Sequence, residues 1–216
     1  MKHLVIAVLA GLFIFHACKK EENISDNPPQ PQVTDYFPLQ VGNYWIYEQS
    51  TCDSGEINCE VKGVDTSFIE KDTSINGKQY FKYITNFPMQ QTTFLRDSGD
   101  YIVDLYGEIL FTHSDSAGIF NEQFVVPNGE DTLYRWYYRL TFTGNVNVPA
   151  GLFDCMDMRG HIFRLQDDYM IDHNTHHFYA LRVGPVKKTA VYASNLSVIK
   201  QELTGYHIEP DGGVIP

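Results

Sequence analysis

The run YRWYYRLTF at Tyr134–Phe142 alternates between two kinds of side chain. Every even-numbered position is aromatic or aliphatic, whereas the odd-numbered positions include Arg135, Arg139 and Thr141. A repeat of two residues is typical of a β-strand with one buried face, because successive side chains in a strand point to opposite faces. The run therefore predicts a half-buried strand.

Similar runs lie on both sides of this segment and are separated by turn residues. Asn76-Gly77 supplies the positive φ angles of a tight hairpin, and Ser98-Gly99 gives a second turn signal. The sequence supports at most a short helical turn at Pro38–Asn43. A strand is also expected to begin at Tyr44. The other predicted strands are Thr66–Thr73, Lys78–Asn86, Thr92–Asp97, Asp100–Tyr106, Glu108–His113, Gln123–Val126, Leu152–Phe163, His176–Val183, Val186–Ala193 and Val198–Tyr206.

This series of strands predicts an all-β fold, with a single antiparallel meander in residues 35–216. We expect a strongly curved sheet, half-barrel or barrel, because long open sheet edges invite aggregation. The 14 Tyr and 14 Phe also need a concave space to fill or line.

Residues 1–17 have the features of a secretory signal peptide. Lys2 gives a positive start, an apolar run covers Leu4–Phe15, and the small residue Ala17 precedes Cys18. The apolar run is too short for an ordinary transmembrane helix. The four residues ending at Cys18 resemble the lipobox of bacterial lipoproteins, which implies that Cys18 is lipidated. The alternative is an ordinary cleaved signal with a chance cysteine.

Residues 18–34 predict a disordered tether between lipid and domain. Pro28, Pro29 and Pro31 lie in a polar context that favours extended polyproline II. Lysine followed by acidic residues, directly after Cys18, resembles the export signal of surface-exposed lipoproteins in the Bacteroidota. This implies an anchor in the outer membrane with the domain at the cell surface. The alternative is a solvated linker without sorting meaning, in a protein that faces the periplasm.

The charge of the chain narrows its range of partners. The formal net charge is −11, and no basic stripe is present. The sequence therefore does not favour binding to nucleic acids or anionic lipid surfaces, since either requires clustered cations.

Three cysteines remain if Cys18 is lipidated. Cys52 and Cys59 flank a turn-rich loop, and we expect them to form a disulfide in an oxidising compartment. Cys155 lies in an apolar stretch, which favours a buried, inert thiol over a nucleophile.

Three segments carry motifs along the domain: Tyr36–Tyr47, Val148–Cys155 and Tyr179–Lys187. In this order they resemble the motifs of the TapB-like family of bacterial extracytoplasmic proteins. Arg182 stands where a glycine is common in that family. The resemblance brings no established activity. It implies a curved antiparallel sheet, similar in outline to the half-barrels of periplasmic carriers that bind lipid tails.

One segment gathers side chains that suit a transition metal. Imidazole and carboxylate are ligands of zinc and similar ions, and the segment reads as a hairpin loop. The alternative is a solvated polar turn, and no cofactor is otherwise indicated. The candidate ligands are Asp172, His173, His176 and His177, with His161 on the preceding strand.

Other constellations give weaker signals. Asp154 with Asp157, and Asp97 with Asp100, are carboxylate pairs without an evident substrate groove, and turn chemistry accounts for the second pair. No Gly-x-Ser-x-Gly motif is present. Aromatic side chains can form either a core or a platform for an apolar ligand. The candidates for this role are Trp45, Trp136, Tyr138 and Phe153.

Three functions remain open at this point. The first is a non-catalytic, lipid-anchored module that binds an envelope protein or a glycan. The second is a carrier that holds an apolar ligand, such as an acyl chain, in a concave sheet; it requires a cavity of several hundred Å³ lined by rings. The third is a metal-dependent hydrolase that uses the histidine-rich segment. The sequence favours the first.

Overall fold

The computed structural model describes residues 30–125, 134–164, 172–192 and 197–210. These residues form a short helix, α1 (Val33–Tyr36), and a series of strands. The strands are β1 (Tyr44–Cys52), β2 (Glu60–Ile75), β3 (Lys78–Thr85), β4 (Gln91–Asp97), β5 (Tyr101–Val103), β6 (Ile109–Thr112), β7 (Phe120–Val125), β8 (Tyr134–Val148), β9 (Gly151–Arg164), β10 (Asp172–Thr175), β11 (His177–Ala180), β12 (Gly184–Val191) and β13 (Val198–His207).

The strands form one antiparallel sheet that curls on itself. Their order is β6-β5-β4-β3-β2-β1-β13-β12-β11-β9-β8-β7, and β10 pairs with β9. Pairing of β1 with β13 joins the first strand to the last. The result is a nearly closed barrel with one unsealed seam, between β6 and β7. The predicted all-β antiparallel meander is thus confirmed.

The seam is bridged by a side chain where backbone pairing is absent. The backbone N–H of Ile109 donates to Oδ1 of Asn121 at 2.9 Å, and Nδ2 of Asn121 donates to the carbonyl of Ile109 at 2.8 Å. A primary amide offers the same donor and acceptor as a peptide group. Asn121 therefore takes the place of one backbone pair between β6 and β7.

The predicted hairpin between β2 and β3 is present. Asn76 and Gly77 have φ angles of 51° and 74°, as a tight turn with two left-handed residues requires. The first strand of this hairpin begins at Glu60, six residues before the predicted start, because its early residues pair with β1. Local alternation does not reveal that extension, since most side chains there are exposed on both faces.

The helix lies elsewhere than predicted. Residues 38–43 form a turn, in which the N–H of Asn43 donates to the carbonyl of Gln40, and the helix is α1 at Val33–Tyr36. Val33 is completely buried. Val33 and Thr34, which were assigned to the tether, therefore belong to the folded domain.

Part of the barrel interior is filled by large side chains, and we call this part the packed core. Phe37 enters it directly after α1 and meets the rings of Trp45, Tyr83 and Tyr179 at 5.5–5.9 Å between centroids. Its other members include Val33, Leu95, Phe111, Val186 and Leu203, each at most 1% exposed.

The predicted disulfide between Cys52 and Cys59 is present. It closes the loop after β1, and this loop is tied back to the barrel by Glu56, which forms an ion pair with Lys187 at 2.6 Å. Cys155 is buried, as expected. The described residues contain no helix long and apolar enough to cross a bilayer.

Candidate functional site

The part of the interior next to the packed core is not filled by side chains of the described residues. It forms a cavity of about 560 Å³, within the range of about 300–1,000 Å³ that is usual for small-molecule sites. Gln91 and Glu108 line it and are exposed, so the cavity reaches the surface. Its apolar lining includes Phe87, Ile109, Leu110, Trp136, Tyr138 and Ile162.

Three rings form the boundary between cavity and packed core. Phe37, Tyr83 and Tyr179 line the cavity on one side and contact the packed core on the other. Tyr179 lies 4.4 Å from Phe111, centroid to centroid. Burial raises the pKa of Tyr179 far above its ordinary value, so its hydroxyl stays protonated.

Trp45 lies in the packed core and not in the cavity. Its indole N–H donates to the carbonyl of Val183 at 2.6 Å. Gly184, which has a φ of +98°, lies directly beneath the ring, and a Cβ there would approach Nε1 of Trp45 to 2.9 Å. The ring is therefore fixed by a hydrogen bond and by a close approach that only glycine permits.

Lys188 on β12 is the unusual residue of the cavity lining. It is 6% exposed, and its Nζ donates to the hydroxyl of Tyr83 at 2.9 Å. The same Nζ lies 5.3–6.0 Å from the ring centroids of Tyr47, Tyr83 and Phe87, within the range of cation–π attraction. Among the described residues, no carboxylate forms an ion pair with it.

His177 lies opposite Lys188 in the pairing of β11 with β12 and also lines the cavity. Its ring contacts those of Phe87 and Tyr138. Burial, followed by the positive charge of Lys188, lowers the pKa of His177 to about 4, although Asp157 opposes the shift. His177 is therefore neutral at pH 7.

Trp136 adds a donor to the cavity. It lines the cavity beside Tyr138, and its Nε1 is buried without an acceptor among the described residues. A buried N–H without an acceptor costs free energy that a bound acceptor would recover. Burial and the charge of Glu108 raise the pKa of Tyr138 to about 12.

The structure separates two of the predicted metal ligands. His177 lines the cavity, whereas Nδ1 of the neighbouring His176 lies 2.7 Å from Oδ2 of Asp157. The backbone of Asp172 and His173 lies in β10, but their side chains are outside the described part of the chain. No three potential ligand side chains of the described residues converge. Cys18 lies outside the described residues as well.

The carboxylate of Asp157 is held by hydrogen bonds from within the protein. It is fully buried, it accepts from Nε of Arg159 at 3.1 Å, and it accepts from the backbone N–H of His177 at 3.1 Å, in addition to its contact with His176. Asp154 is exposed, so the two carboxylates do not form the pair considered above. Oδ1 of Asp97 accepts from the N–H of Gly99, as expected for a turn.

Phe153 and Cys155 lie away from the cavity lining. The ring of Phe153 packs against Tyr206 at 6.3 Å. Burial and the neighbouring carboxylates of Asp154 and Asp157 raise the pKa of the Cys155 thiol to about 12, which makes it a poor nucleophile at neutral pH.

Sequence reasoning missed Lys188, the seam residues and the tyrosine Tyr83. Lys187 and Lys188 are adjacent on β12, and alternation on a strand sends adjacent side chains to opposite faces. Lys187 binds Glu56, while Lys188 lies inside. Lys188 is two residues before Ala190 on β12, so the two side chains point to the same face of the strand, and Ala190 also lines the cavity. This spacing is the sequence signal that could have placed Lys188 inside.

Comparison with known proteins gives two structural likenesses. No family model and no curated protein matches the chain. The fold is similar to a protein of Bacteroides fragilis described as exported and as having a YmcC-like fold, with 12% identity and a TM-score of 0.49. It is also similar to a protein of Parabacteroides distasonis described as a lipoprotein, with 14% identity and a TM-score of 0.42. Each match covers 82% of this chain and all of the other. The resemblance to the TapB-like family stays a prediction.

Proposed function

We infer that this domain is a carrier that binds an apolar small molecule inside its barrel. The observation that supports this function is the cavity of about 560 Å³, which is continuous with the surface and about half of whose lining residues are aromatic or aliphatic. The carrier hypothesis requires such a space, whereas a module that binds an envelope protein or a glycan requires none. The geometry therefore favours the carrier over the interaction module that the sequence favoured.

The proposed carrier acts at the cell envelope, without catalysis. The signal peptide and Cys18 support a lipid anchor, and the tether that follows would let the domain reach a nearby membrane or partner. The anchor is tested by Cys18→Ala, which should move the protein from the membrane fraction to the soluble fraction. Unchanged partitioning would exclude lipidation as the anchor.

Ligand binding is tested with the full chain carrying Cys18→Ala, so that no detergent competes for the cavity. Copurified lipid is first removed by organic extraction and identified by mass spectrometry. The neutral probe N-phenyl-1-naphthylamine is then titrated, and its fluorescence is expected to rise to saturation at one probe per chain. Absence of saturable binding would contradict the carrier function.

Two matched variants locate the probe. Ala190→Phe places a ring in the cavity and should weaken probe binding at least tenfold. Val64→Phe adds the same ring at a position that is 68% exposed on β2 and should leave binding unchanged. Equal binding by both variants would place the probe outside the cavity and contradict the proposal.

A further inference from the structure

We propose that the ligand of the cavity carries a carboxylate, and that Lys188 binds this group together with Tyr83. The expected ligand is an amphiphile of the fatty-acid class, with its chain against the apolar wall. This inference rests on the proposed carrier function and names the chemical class of its ligand.

Lys188 is a buried cation without a counterion in the part of the chain that the structure describes. Lysine is rarely fully buried unless it is paired, because removal of an ammonium from water is costly. Lys188 has one neutral hydroxyl and three ring faces near its Nζ. These contacts offset part of the cost, but a carboxylate would neutralise the charge.

The adjacent Lys187 differs from Lys188 in its partners. Nζ of Lys187 lies 2.6 Å from a carboxylate oxygen of Glu56 and 3.7 Å from one of Glu202. On β12, therefore, the outer lysine has two acidic partners from the chain, while the inner lysine has none among the described residues. A ligand carboxylate would reach Lys188 from the cavity, because Lys188 lines it.

Tyr83 offers a second donor beside Lys188. Its hydroxyl oxygen accepts from Lys188, and the described residues provide no acceptor for its own proton. A carboxylate has two oxygens that accept hydrogen bonds, so it can bind the ammonium and this hydroxyl at once. Two adjacent donors suit a carboxylate better than a phosphate monoester, which has more acceptor oxygens to satisfy.

His177 fits the same arrangement. It is neutral at pH 7, so it adds no second positive charge beside Lys188. The cavity lining also includes apolar side chains, among them Leu110, Ile162 and Phe87. Two carboxylates also line the cavity: Glu108 is exposed, and Asp104 accepts from the backbone N–H groups of Tyr106 and Glu108. The cavity thus combines one buried cation with apolar side chains that can contact hydrocarbon, which suits an amphiphile.

The test compares two ligands with the same chain. Dodecanoate and 1-dodecanol are titrated against the extracted Cys18→Ala protein at pH 7.5, by displacement of N-phenyl-1-naphthylamine. If the head group stayed in water, the more apolar alcohol would bind at least as well. We expect dodecanoate to bind at least tenfold more tightly, and this comparison needs no variant at Lys188.

Two variants then assign the effect. Lys188→Met should reduce dodecanoate affinity at least tenfold and change dodecanol affinity less than threefold. Lys187→Met removes the same charge from the outer face and should leave both affinities unchanged. Retained probe fluorescence shows that the barrel of each variant is folded.

The outcomes separate the two proposals. If neither ligand nor probe binds the wild-type protein, the carrier function itself fails. If dodecanol and the probe bind, but dodecanoate has no advantage over the alcohol, the carrier function stands and the carboxylate assignment is overturned. Equal losses in Lys188→Met and Lys187→Met would also overturn it, because long-range charge would then explain the effect.

Discussion

The packed core and the cavity are two parts of one barrel interior, and they differ in the hydrogen-bond partners of the polar groups described next. In the packed core, the N–H of Trp45 donates to Val183, and the hydroxyl of Tyr47 donates to the carbonyl of Pro185 at 2.8 Å. In the cavity, the N–H of Trp136 has no acceptor among the described residues, and Lys188 has no described carboxylate partner.

The pairing of buried polar groups helps to distinguish a structural interior from a binding site. Buried polar groups are normally satisfied within the protein, since each unsatisfied group costs about 1–3 kcal/mol. Groups that the fold leaves without partners are therefore candidates for interaction with a ligand. Trp136 and Lys188 are such groups beside the cavity, whereas Trp45 and Tyr47 are satisfied within the packed core. Other buried atoms without a partner among the described residues lie outside the cavity lining: Nε of Arg96, Nδ1 of His113 and Oε1 of Gln201. If the packed core is a structural interior and the cavity is a binding site, substitutions in the two parts should differ in their effects on stability and on binding.

The two tryptophans should differ most in their effect on stability. Trp45→Ala removes a fully buried ring and leaves the carbonyl of Val183 without its donor, so we expect a loss of about 3–5 kcal/mol in the free energy of unfolding. Trp136→Ala should cost less than about 2 kcal/mol, because its ring already borders empty space and has fewer contacts to lose. Urea unfolding measures both values. Equal losses would mean that the cavity wall is as tightly packed as the core.

The cavity should also make the domain sensitive to acid through His177. Its pKa is lowered to about 4 in the folded state, so the unfolded chain takes up this proton first, near the ordinary pKa of about 6.5. Stability should therefore fall as pH falls from about 6.5 to 4, by up to about 3 kcal/mol from this residue. His177→Gln should flatten that part of the profile, whereas His207→Gln, at an exposed position, should not. Profiles that stay parallel for wild type and His177→Gln would contradict the shift.

Much of the fold was predictable because its signals are local. Alternation in β8 correctly placed Trp136, Tyr138 and Leu140 on one face, with the first two lining the cavity and the third in the core. The same pattern did not predict that Tyr137, on the other face, is only 8% exposed. The ring of Tyr137 contacts the side chains of Arg139 and of His161. His161 lies opposite Tyr137 on β9, so this burial depends on the pairing between strands.

The site itself was less predictable, because its residues are distant in sequence. Lys188 and Tyr83 are 105 positions apart, and only closure of the barrel brings them together. The histidine-rich segment drew attention because its residues are close in sequence, yet adjacent positions on a strand diverge. His176 contacts Asp157 on one side, while His177 lines the cavity on the other.

The packed core and the cavity should differ in how well they tolerate added side-chain volume, and two substitutions on β12 test this. Val186→Phe inserts a ring into the packed core and should cost about 1–3 kcal/mol, because a close-packed interior cannot expand without strain. Ala190→Phe, four residues later, enters the cavity and should change stability by less than about 1 kcal/mol. Thermal unfolding of the extracted protein distinguishes them. A large loss in Ala190→Phe would show that the cavity is not available space.

The seam gives the smallest expected effect on stability, because the substitution there removes one hydrogen bond and no buried apolar side chain. Asn121→Asp keeps the acceptor for the N–H of Ile109 but removes the donor to its carbonyl, which should cost about 1 kcal/mol. Both residues line the cavity, so a looser seam should speed release of N-phenyl-1-naphthylamine, measured by stopped-flow dilution. Asn145→Asp adds the same charge at an exposed position of β8 and serves as the control. Equal release rates in Asn121→Asp and Asn145→Asp would mean that the ligand leaves by another route. A route between β6 and β7 should depend on the contact of Asn121 with Ile109, which joins these two strands.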